Sequence, residues 1–194
     1  MTSRKAVDAR FPARSWRRGR PLARIHREGQ SPWWFSNDGS GRFDPVGIPD
    51  TGACYLAATE LGAFVEVFRT PTTIAEDDIE SRRLSVVTLG RELRLADLCS
   101  RRALTYNVTA DVGAAGDYGV SQQFAVEALG AGFAGVRWWL RHDPAQRLVG
   151  IALFGPAGEP DPSRRWPVPR PVELSNRLLT RAWRDFGYQV VPRP

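Results

Sequence analysis

Short apolar runs of strand length recur along this chain, whereas only three stretches have the spacing of an amphipathic helix. The runs "PLARIH", "ACYLA", "GVRWWL" and "RLVGIALF" are each too short for a helix and predict strands. Helices are predicted after Thr59, across "VSQQFAVEALGAG" and over about residues 175–186. Because strands and helices mix without steady alternation, we predict an α+β fold rather than a doubly wound sheet.

Three further patterns indicate how these elements connect. The runs "RLSVVTL" and "RELRLADL" meet near Gly90 and predict a hairpin or consecutive edges of one sheet. Six prolines between residues 155 and 171 exclude regular structure and predict an extended crossing. The letters "GAGFAG", residues 130–135, match a dinucleotide-binding fingerprint. A helix is predicted before them and a strand after them, which is the reverse of that motif, so they indicate a helix-to-strand turn.

The positive charge of the chain is concentrated at its N-terminal end. The net charge is +6, but residues 1–30 hold nine basic and two acidic side chains, so the remainder is nearly balanced. We therefore predict a flexible basic arm over residues 1–21, followed by a single domain over residues 22–194. The arm could contact nucleic acid, but no matching basic face is evident downstream, so a solvated leader is the favoured interpretation.

Several classes of protein are disfavoured by composition. Cys54 and Cys99 provide neither a disulfide framework nor a metal-spaced pair. His26 and His142 are the only histidines, so a metal site would need an unusual ligand set, and we predict none. No apolar run has the length of a signal peptide or a membrane span, so we expect a cytoplasmic protein without a membrane partner.

A glutamate inside a predicted helix is the first candidate functional residue. Glu66 lies off the apolar stripe of that helix, and one turn back stand Gly62 and Ala63, which have almost no side chain. The carboxylate could therefore face a cavity that a ligand fills. The alternative is an ordinary solvated glutamate.

Two residues earlier in the same stretch are candidates as well. Arg42 lies in the loop "GRFDP", where it could offer a planar fork to a phosphate or carboxylate, or form a salt bridge with Asp44. Tyr55 lies on the predicted strand before the helix and points to one side of the sheet, as a core residue also would.

The segments "LARIHR", "SGRFDP" and "CYLAATELGAFVEVF" together resemble the RES domain, the toxin half of Xre-RES toxin–antitoxin systems. The resemblance is strong over about residues 22–68 and looser through "SQQFAVEALGAGFAGVRWW" and "VGIALF". It implies an ADP-ribosyltransferase-like fold, a mixed β core of split sheets with flanking helices. It also implies an enzyme that consumes NAD⁺ as a substrate, needs no bound cofactor, and has an Xre-type antitoxin as its partner.

The resemblance also implies roles for individual residues. Glu66, Arg42 and Tyr55 would be catalytic, and the residues implied to bind NAD⁺ are Arg24, Trp33, Trp34 and Ser121. When nicotinamide leaves, positive charge builds on the ribose, and a carboxylate stabilises it. Arginines would hold the pyrophosphate, Tyr55 would meet the ribose, and a tryptophan would cover a ring of the ligand.

One position departs from the pattern of the family. A serine often found after the Gly-turn strand is replaced here by Leu140, and Ser121 is a candidate counterpart. Three activities therefore stay open. They are NAD⁺ degradation with water or phosphate as acceptor, ADP-ribosyl transfer to a macromolecule, and binding by a RES-like fold whose catalysis is weakened.

Overall fold

The computed structural model of the protein describes residues 5–70 and 72–192. The strands are β1 (Ala13–Trp16), β2 (Pro21–Arg27), β3 (Thr51–Ala57), β4 (Thr73–Ala75), β5 (Arg82–Thr88), β6 (Leu93–Asp97), β7 (Gly135–Trp139), β8 (Val149–Pro156) and β9 (Gln189–Val191). The helices are α1 (Glu60–Phe68), α2 (Glu76–Glu80), α3 (Asp111–Ala114), α4 (Gly119–Gly130) and α5 (Asn176–Phe186), with a 3₁₀ helix over Arg101–Tyr106.

A single mixed sheet forms the framework, with strand order β1-β6-β7-β8-β3-β2-β5. Neighbouring strands are antiparallel except β6 and β7, and β4 pairs with β9 in a small parallel sheet. Long helices α1, α4 and α5 follow the three stretches of helical spacing. The predicted α+β class is confirmed.

The sheet is strongly curved, as its connections require. Strands β5 and β6 lie five positions apart in the sheet, about 24 Å if the sheet were flat. The four residues 89–92 that join them span at most about 18 Å, so the two ends of the sheet must approach each other. The prediction of a hairpin is therefore wrong: the short connection crosses between opposite ends of the sheet.

Two apolar cores lie on the two faces of this curved sheet. Val87 of β5 and Leu93 of β6 share one cluster, which identifies its face as the concave one, together with Trp33, Trp166 and other buried side chains. The second cluster combines Phe64 of α1, Phe124 of α4 and Leu178 of α5 with the other face. The two layers are the means by which short strands and few helices bury enough apolar surface.

The segment before β2 belongs to the fold. β1 pairs antiparallel with β6 in the register Ala13 to Ala96 through Trp16 to Leu93, and both Phe11 and Trp16 are buried. The prediction of a flexible arm is wrong for residues 5–20, and residues 1–4 lie outside the described part. The high arginine content of this segment predicted a solvated arm, although a few apolar side chains anchor it in the core.

The sheet opens between β2 and β3. β2 pairs with β5 over seven residues and β3 pairs with β8 over seven, but β2 and β3 share only the pair Ala23 and Ala57. The split sheets implied by the family resemblance are thus joined into one sheet by this single pair.

The proline-rich crossing passes over the concave core. Residues 157–171 contain no helix or strand, and within them Trp166 is buried against Trp33 and Phe35. The Trp33 indole Nε1 donates to the Pro167 carbonyl oxygen at 2.8 Å, which fixes the crossing. The crossing predicted over residues 155–171 thus lacks helix and strand from residue 157 onward, whereas residues 155 and 156 end β8.

No helix within residues 5–70 and 72–192 is long and apolar enough to cross a membrane. Over the same residues, His, Cys, Asp and Glu side chains form no group of three that could hold a metal ion.

Candidate active site

A cavity of about 490 Å³ lies beside the split in the sheet. Its walls come from β2, β3, α1, the loop before β3, the start of α4 and the segment after β7. The lining includes Ala23, Arg24, Ser40, Gly41, Arg42, Tyr55, Ala63, Glu66, Arg69, Arg82, Tyr118, Trp138, Arg141 and His142. Arg42, Tyr55 and Glu66, which the sequence places up to 24 positions apart, therefore meet at one site.

Tyr55 locks the loop that carries Arg42. Its hydroxyl donates to Asp44 Oδ1 at 2.8 Å and accepts from the Phe43 backbone N–H at 2.7 Å. Burial, and then the Asp44 carboxylate, raises the pKa of Tyr55 well above its ordinary value, which keeps the hydroxyl protonated as a donor. Because both functions of the hydroxyl are engaged, Tyr55 acts here as a positioning residue.

Asp44 completes this lock. Its Oδ2 accepts from the Gly41 backbone N–H and from the Ser36 hydroxyl, each at 2.9 Å. A Cβ on Gly41 would overlap the Asp44 carboxylate and the Tyr55 hydroxyl, so only glycine fits there. Asp44 thus braces the loop through hydrogen bonds, not through the salt bridge to Arg42 considered from the sequence.

Arg42 is held from the opposite wall. Its Nη1 donates to the Ala115 carbonyl oxygen at 2.6 Å, and its guanidinium lies 4.6 Å from the ring centroid of Tyr118. Gln122 of α4 reinforces the loop, since its Nε2 donates to the carbonyl oxygens of Gly39 at 2.8 Å and Gly41 at 3.1 Å. Arg42 is 9% exposed, so its charge is fixed at the cavity wall.

Glu66 projects from α1 with 25% of its side chain exposed. Burial raises the pKa of this carboxyl above its usual value, while Arg69 and then Arg42 lower it. The Arg69 Nη2 lies 3.7 Å from Glu66 Oε1, one turn further along the chain. A half-buried carboxylate beside two cations is suited to stabilising positive charge on a bound ligand.

The small residues before Glu66 have different functions. Ala63 lines the cavity, as expected. Gly62 instead faces the sheet, where an added Cβ would lie 3.1 Å from Ala57 Cβ and 3.5 Å from Leu140 Cδ1. Gly62 therefore permits close packing of α1 and opens no space beside Glu66.

Four charged or titratable residues of the cavity were not predicted from the sequence: Arg69, Arg82, Arg141 and His142. Arg69 could have been found, since it stands three residues after Glu66 on the same predicted helix. Arg82 and Arg141 come from other segments of the chain and reach the cavity only in the folded protein. Burial, and then Arg141, Arg69 and Arg42, lowers the pKa of His142, which favours its neutral form.

Arg82 has an incomplete set of partners. Its Nε is buried, and among the described residues nothing accepts a hydrogen bond from it. A buried donor left unpaired costs about 1–3 kcal/mol. The side chain starts from β5 and faces the cavity from the wall formed by β2 and β5.

Arg24 has a bracing role. Its Nη1 donates to the carbonyl oxygens of Pro32 at 2.7 Å and Trp34 at 3.2 Å, and it lies 2.7 Å from Cys54 Sγ. These contacts hold the loop between β2 and β3 across the split. Arg24 also lines the cavity, and its contact with a substrate stays a prediction.

The remaining predicted binding residues are outside the cavity. Trp33 is fully buried in the concave core, and Trp34 is 54% exposed on the surface. Ser121 is buried, and its hydroxyl donates to the Val112 carbonyl oxygen at 2.7 Å, tying α4 to α3. None of these three side chains lines the cavity, and their contact with a substrate stays a prediction.

Leu140 is 1% exposed and packs against Gly62 and Gly150. It lies behind the cavity wall. The next two residues, Arg141 and His142, line the cavity instead. The replacement of a serine at this position therefore fills the core and leaves the polar lining to its neighbours.

The comparisons with known proteins agree with this architecture. No curated protein matches the chain. Among solved structures, a chain in the crystal structure of the M. tuberculosis MbcT–MbcA toxin–antitoxin complex matches with a TM-score of 0.63 at 19% identity. That match covers 90% of this chain and 92% of the other, which indicates a shared fold. The RES domain profile matches residues 21–171, most of the sequence, and the chain belongs to the RES domain family.

Proposed function

We propose that the cavity binds NAD⁺ and that the protein cleaves the bond between nicotinamide and ribose. The observation that carries the proposal is the placement of Glu66 among arginines in one cavity. Arg42 and Arg69 lie close enough to influence its pKa, and Arg82 and Arg141 complete a cationic lining. A dinucleotide presents the matching groups, namely an anionic pyrophosphate and a ribose on which positive charge develops.

The chemistry needs one carboxylate and several cations. As the C1′–N bond breaks, its electron pair goes to the nicotinamide nitrogen, so nicotinamide leaves neutral and positive charge spreads over C1′ and the ring oxygen. Ionised Glu66 stabilises that charge, more strongly in a half-buried site than in water. Water or phosphate then bonds to C1′, and a nucleophilic water loses a proton. Membership of the RES family supports this assignment.

The arginines orient the substrate and hold its phosphates. Arg42 is immobilised by Ala115 and Tyr118, so it can bind an oxyanion with little loss of side-chain entropy. Arg82 lines the same cavity from the wall formed by β2 and β5, so its guanidinium can hold a phosphate as well. Binding between these walls would place the ribose near Glu66.

We further propose that the protein is an intracellular toxin that an antitoxin, expected to be of the Xre type, neutralises. The support is family membership and the shared fold with a chain of a toxin–antitoxin complex. Growth arrest on expression of the chain alone, relieved by co-expression of a neighbouring small gene, is the expected result. Unimpaired growth at high expression of an NAD⁺-consuming protein would contradict the toxin role.

Loss of NAD⁺ with purified protein tests the catalytic proposal. We expect wild type to release nicotinamide and Glu66→Gln to be about 10²- to 10³-fold slower, because the stabilising charge is lost. Glu60→Gln is the matched control, since Glu60 is exposed on the same helix and does not line the cavity. Intact NAD⁺ with wild type, or equal rates for the two variants, would refute the assignment.

Labelled NAD⁺ in the same assay separates degradation from transfer. Release of free ADP-ribose, or of its phosphorylated form when phosphate is supplied, identifies water or phosphate as acceptor. Label retained on added protein or nucleic acid identifies a macromolecular acceptor and contradicts simple degradation.

A further inference from the structure

A second concave surface of this protein is lined by arginines. Its volume is about 700 Å³, and its lining consists of Arg18, Gly19, Thr88, Leu89, Gly90, Arg91, Arg164, Arg165 and Pro167. We call it the arginine groove. Three separate segments supply its charge: the turn between β1 and β2, the connection between β5 and β6, and the proline-rich crossing.

The charge of the arginine groove is not neutralised by the described part of the protein. Among residues 5–70 and 72–192, no acidic side chain lines it, and its four guanidinium groups have neither a hydrogen bond nor an ion pair. Arg165 makes one ring contact, 5.2 Å from the centroid of Trp166. Elsewhere, Arg83 and Arg137 are paired with Glu28 and Asp97. Like charges gathered without counter-ions repel each other, and a bound polyanion would relieve that repulsion.

The backbone holds these arginines close together. The Gly19 N–H donates to the Leu89 carbonyl oxygen at 3.0 Å, which joins the first two segments. Gly90 lies against the Arg164 carbonyl oxygen, 3.6 Å from where a Cβ would stand. The third segment is anchored by buried Trp166 and by the hydrogen bond from Trp33 to Pro167. The charges are therefore presented on fixed segments, which lowers the entropy lost on binding.

The arginine groove is separate from the candidate active site. β5 begins at Arg82, which lines the NAD⁺ cavity, and ends at Thr88, which lines the groove. Thr88 is six positions after Arg82 on this strand, a distance of about 20 Å. A ligand can therefore occupy the groove without entering the cavity.

We infer that the arginine groove binds the sugar–phosphate backbone of a nucleic acid. Arginines spread along a concave surface match a chain of regularly spaced phosphates. Among the described residues, no exposed aromatic or large apolar side chain lines the groove, so it offers no anchor for a lipid surface and no platform for stacked bases. The contacts are therefore to phosphates, which carry no sequence information. The sequence showed no basic face after the N-terminal segment. In the folded chain such a face is formed by Arg91, Arg164 and Arg165 beside Arg18.

Fluorescence anisotropy with a labelled single-stranded RNA of mixed sequence tests this inference. Four phosphate contacts predict a log–log slope of affinity against salt of about −3 between about 50 and 200 mM. The double variant Arg91→Gln, Arg164→Gln should reduce the magnitude of that slope by about 1.4 and leave NAD⁺ consumption unchanged.

The control is the double variant Arg147→Gln, Arg177→Gln. It changes net charge equally at exposed arginines outside both cavities and should leave the slope as in wild type. An equal loss in both variants would show an effect of net charge alone and overturn the inference. Absence of RNA binding at low salt, or binding of anionic vesicles in its place, would overturn it too. Because binding is measured without NAD⁺, the result is independent of the proposed catalytic activity.

Discussion

At the scale of single residues, the protonation state of Glu66 sets the pH range of the proposed reaction. The carboxyl must be ionised to stabilise the ribose cation, and burial raises its pKa above the usual value. We therefore expect kcat to fall on acidification at a higher pH than an exposed glutamate would give.

Arg69→Gln should move this acidic limb to still higher pH, because Arg69 is the cation that most lowers the pKa of Glu66. The measurement is the pH profile of kcat for NAD⁺ cleavage. Arg83→Gln, whose ion pair is with Glu28, serves as the control and should leave the limb in place. A limb unchanged by Arg69→Gln would exclude this electrostatic coupling.

Arg82 provides a second test at this scale. Replacing it with glutamine should raise KM for NAD⁺ roughly tenfold to a hundredfold with little change in kcat, because a charged hydrogen bond to phosphate is lost. The unpaired Nε disappears too, so thermal stability should be retained. Initial rates for Arg82→Gln and for its neighbour Arg83→Gln, which lies outside the cavity lining, decide the matter. Equal KM values in the two variants would remove Arg82 from the site.

At the scale of elements, the site depends on how β3 fixes the loop before it. Tyr55→Phe leaves Asp44 Oδ1 and the Phe43 N–H without their shared partner. We expect the free energy of unfolding to fall by about 1–3 kcal/mol and kcat/KM to fall with it as Arg42 loses its position. Urea denaturation and initial rates measure the two effects.

Comparing the stability and the activity of Tyr55→Phe distinguishes a positioning role of the hydroxyl from a direct role in the reaction. A variant Tyr55→Phe as stable as wild type but inactive would mean that the hydroxyl takes part in the reaction. Thr105→Val removes an exposed hydroxyl, which donates to the Arg102 carbonyl oxygen, and keeps the shape of the side chain; it is the control and should alter neither quantity appreciably.

Element prediction succeeded where local patterns decide structure. Thr59 caps α1 by accepting from the Gly62 N–H at 3.0 Å, and Ser175 caps α5, because a cap is a contact between residues three apart. The prediction of a hairpin between β5 and β6 was wrong because strand pairing depends on contacts between residues far apart in the sequence. The packing of Trp33 against Phe35 and Trp166 could not be predicted for the same reason, because Trp166 lies far from it in the sequence.

At the scale of the whole molecule, the N-terminal segment is anchored by Phe11 in the core between the sheet and the helices. Phe11 is 1% exposed and makes edge-on contacts with Tyr106, Phe124 and Phe133. Phe11→Ala should lower the free energy of unfolding by about 3–5 kcal/mol, because it leaves a cavity among aromatic rings.

Chemical denaturation of this variant measures the change, with Arg10→Ala at an exposed neighbouring position as the control. A loss below about 0.5 kcal/mol, the range of ordinary surface substitutions, would restore the picture of a dispensable arm. The same segment carries Arg18 into the arginine groove, so the stability of the fold and the proposed nucleic-acid site share one support.

The α+β class and the helices that follow Thr59 and Ser175 could be predicted from the sequence because caps and periodicity are local patterns. The common site of Arg42, Tyr55 and Glu66 could be predicted because these residues match the motifs of the RES family. Which arginines surround Glu66, and which form the arginine groove, depends on the tertiary structure. Arg82, Arg141 and Arg164 come from segments far apart in the chain, and the curvature of the sheet brings them to their sites. The order of charges along the chain does not show which arginines will be close in space, because their positions result from the packing of both apolar cores.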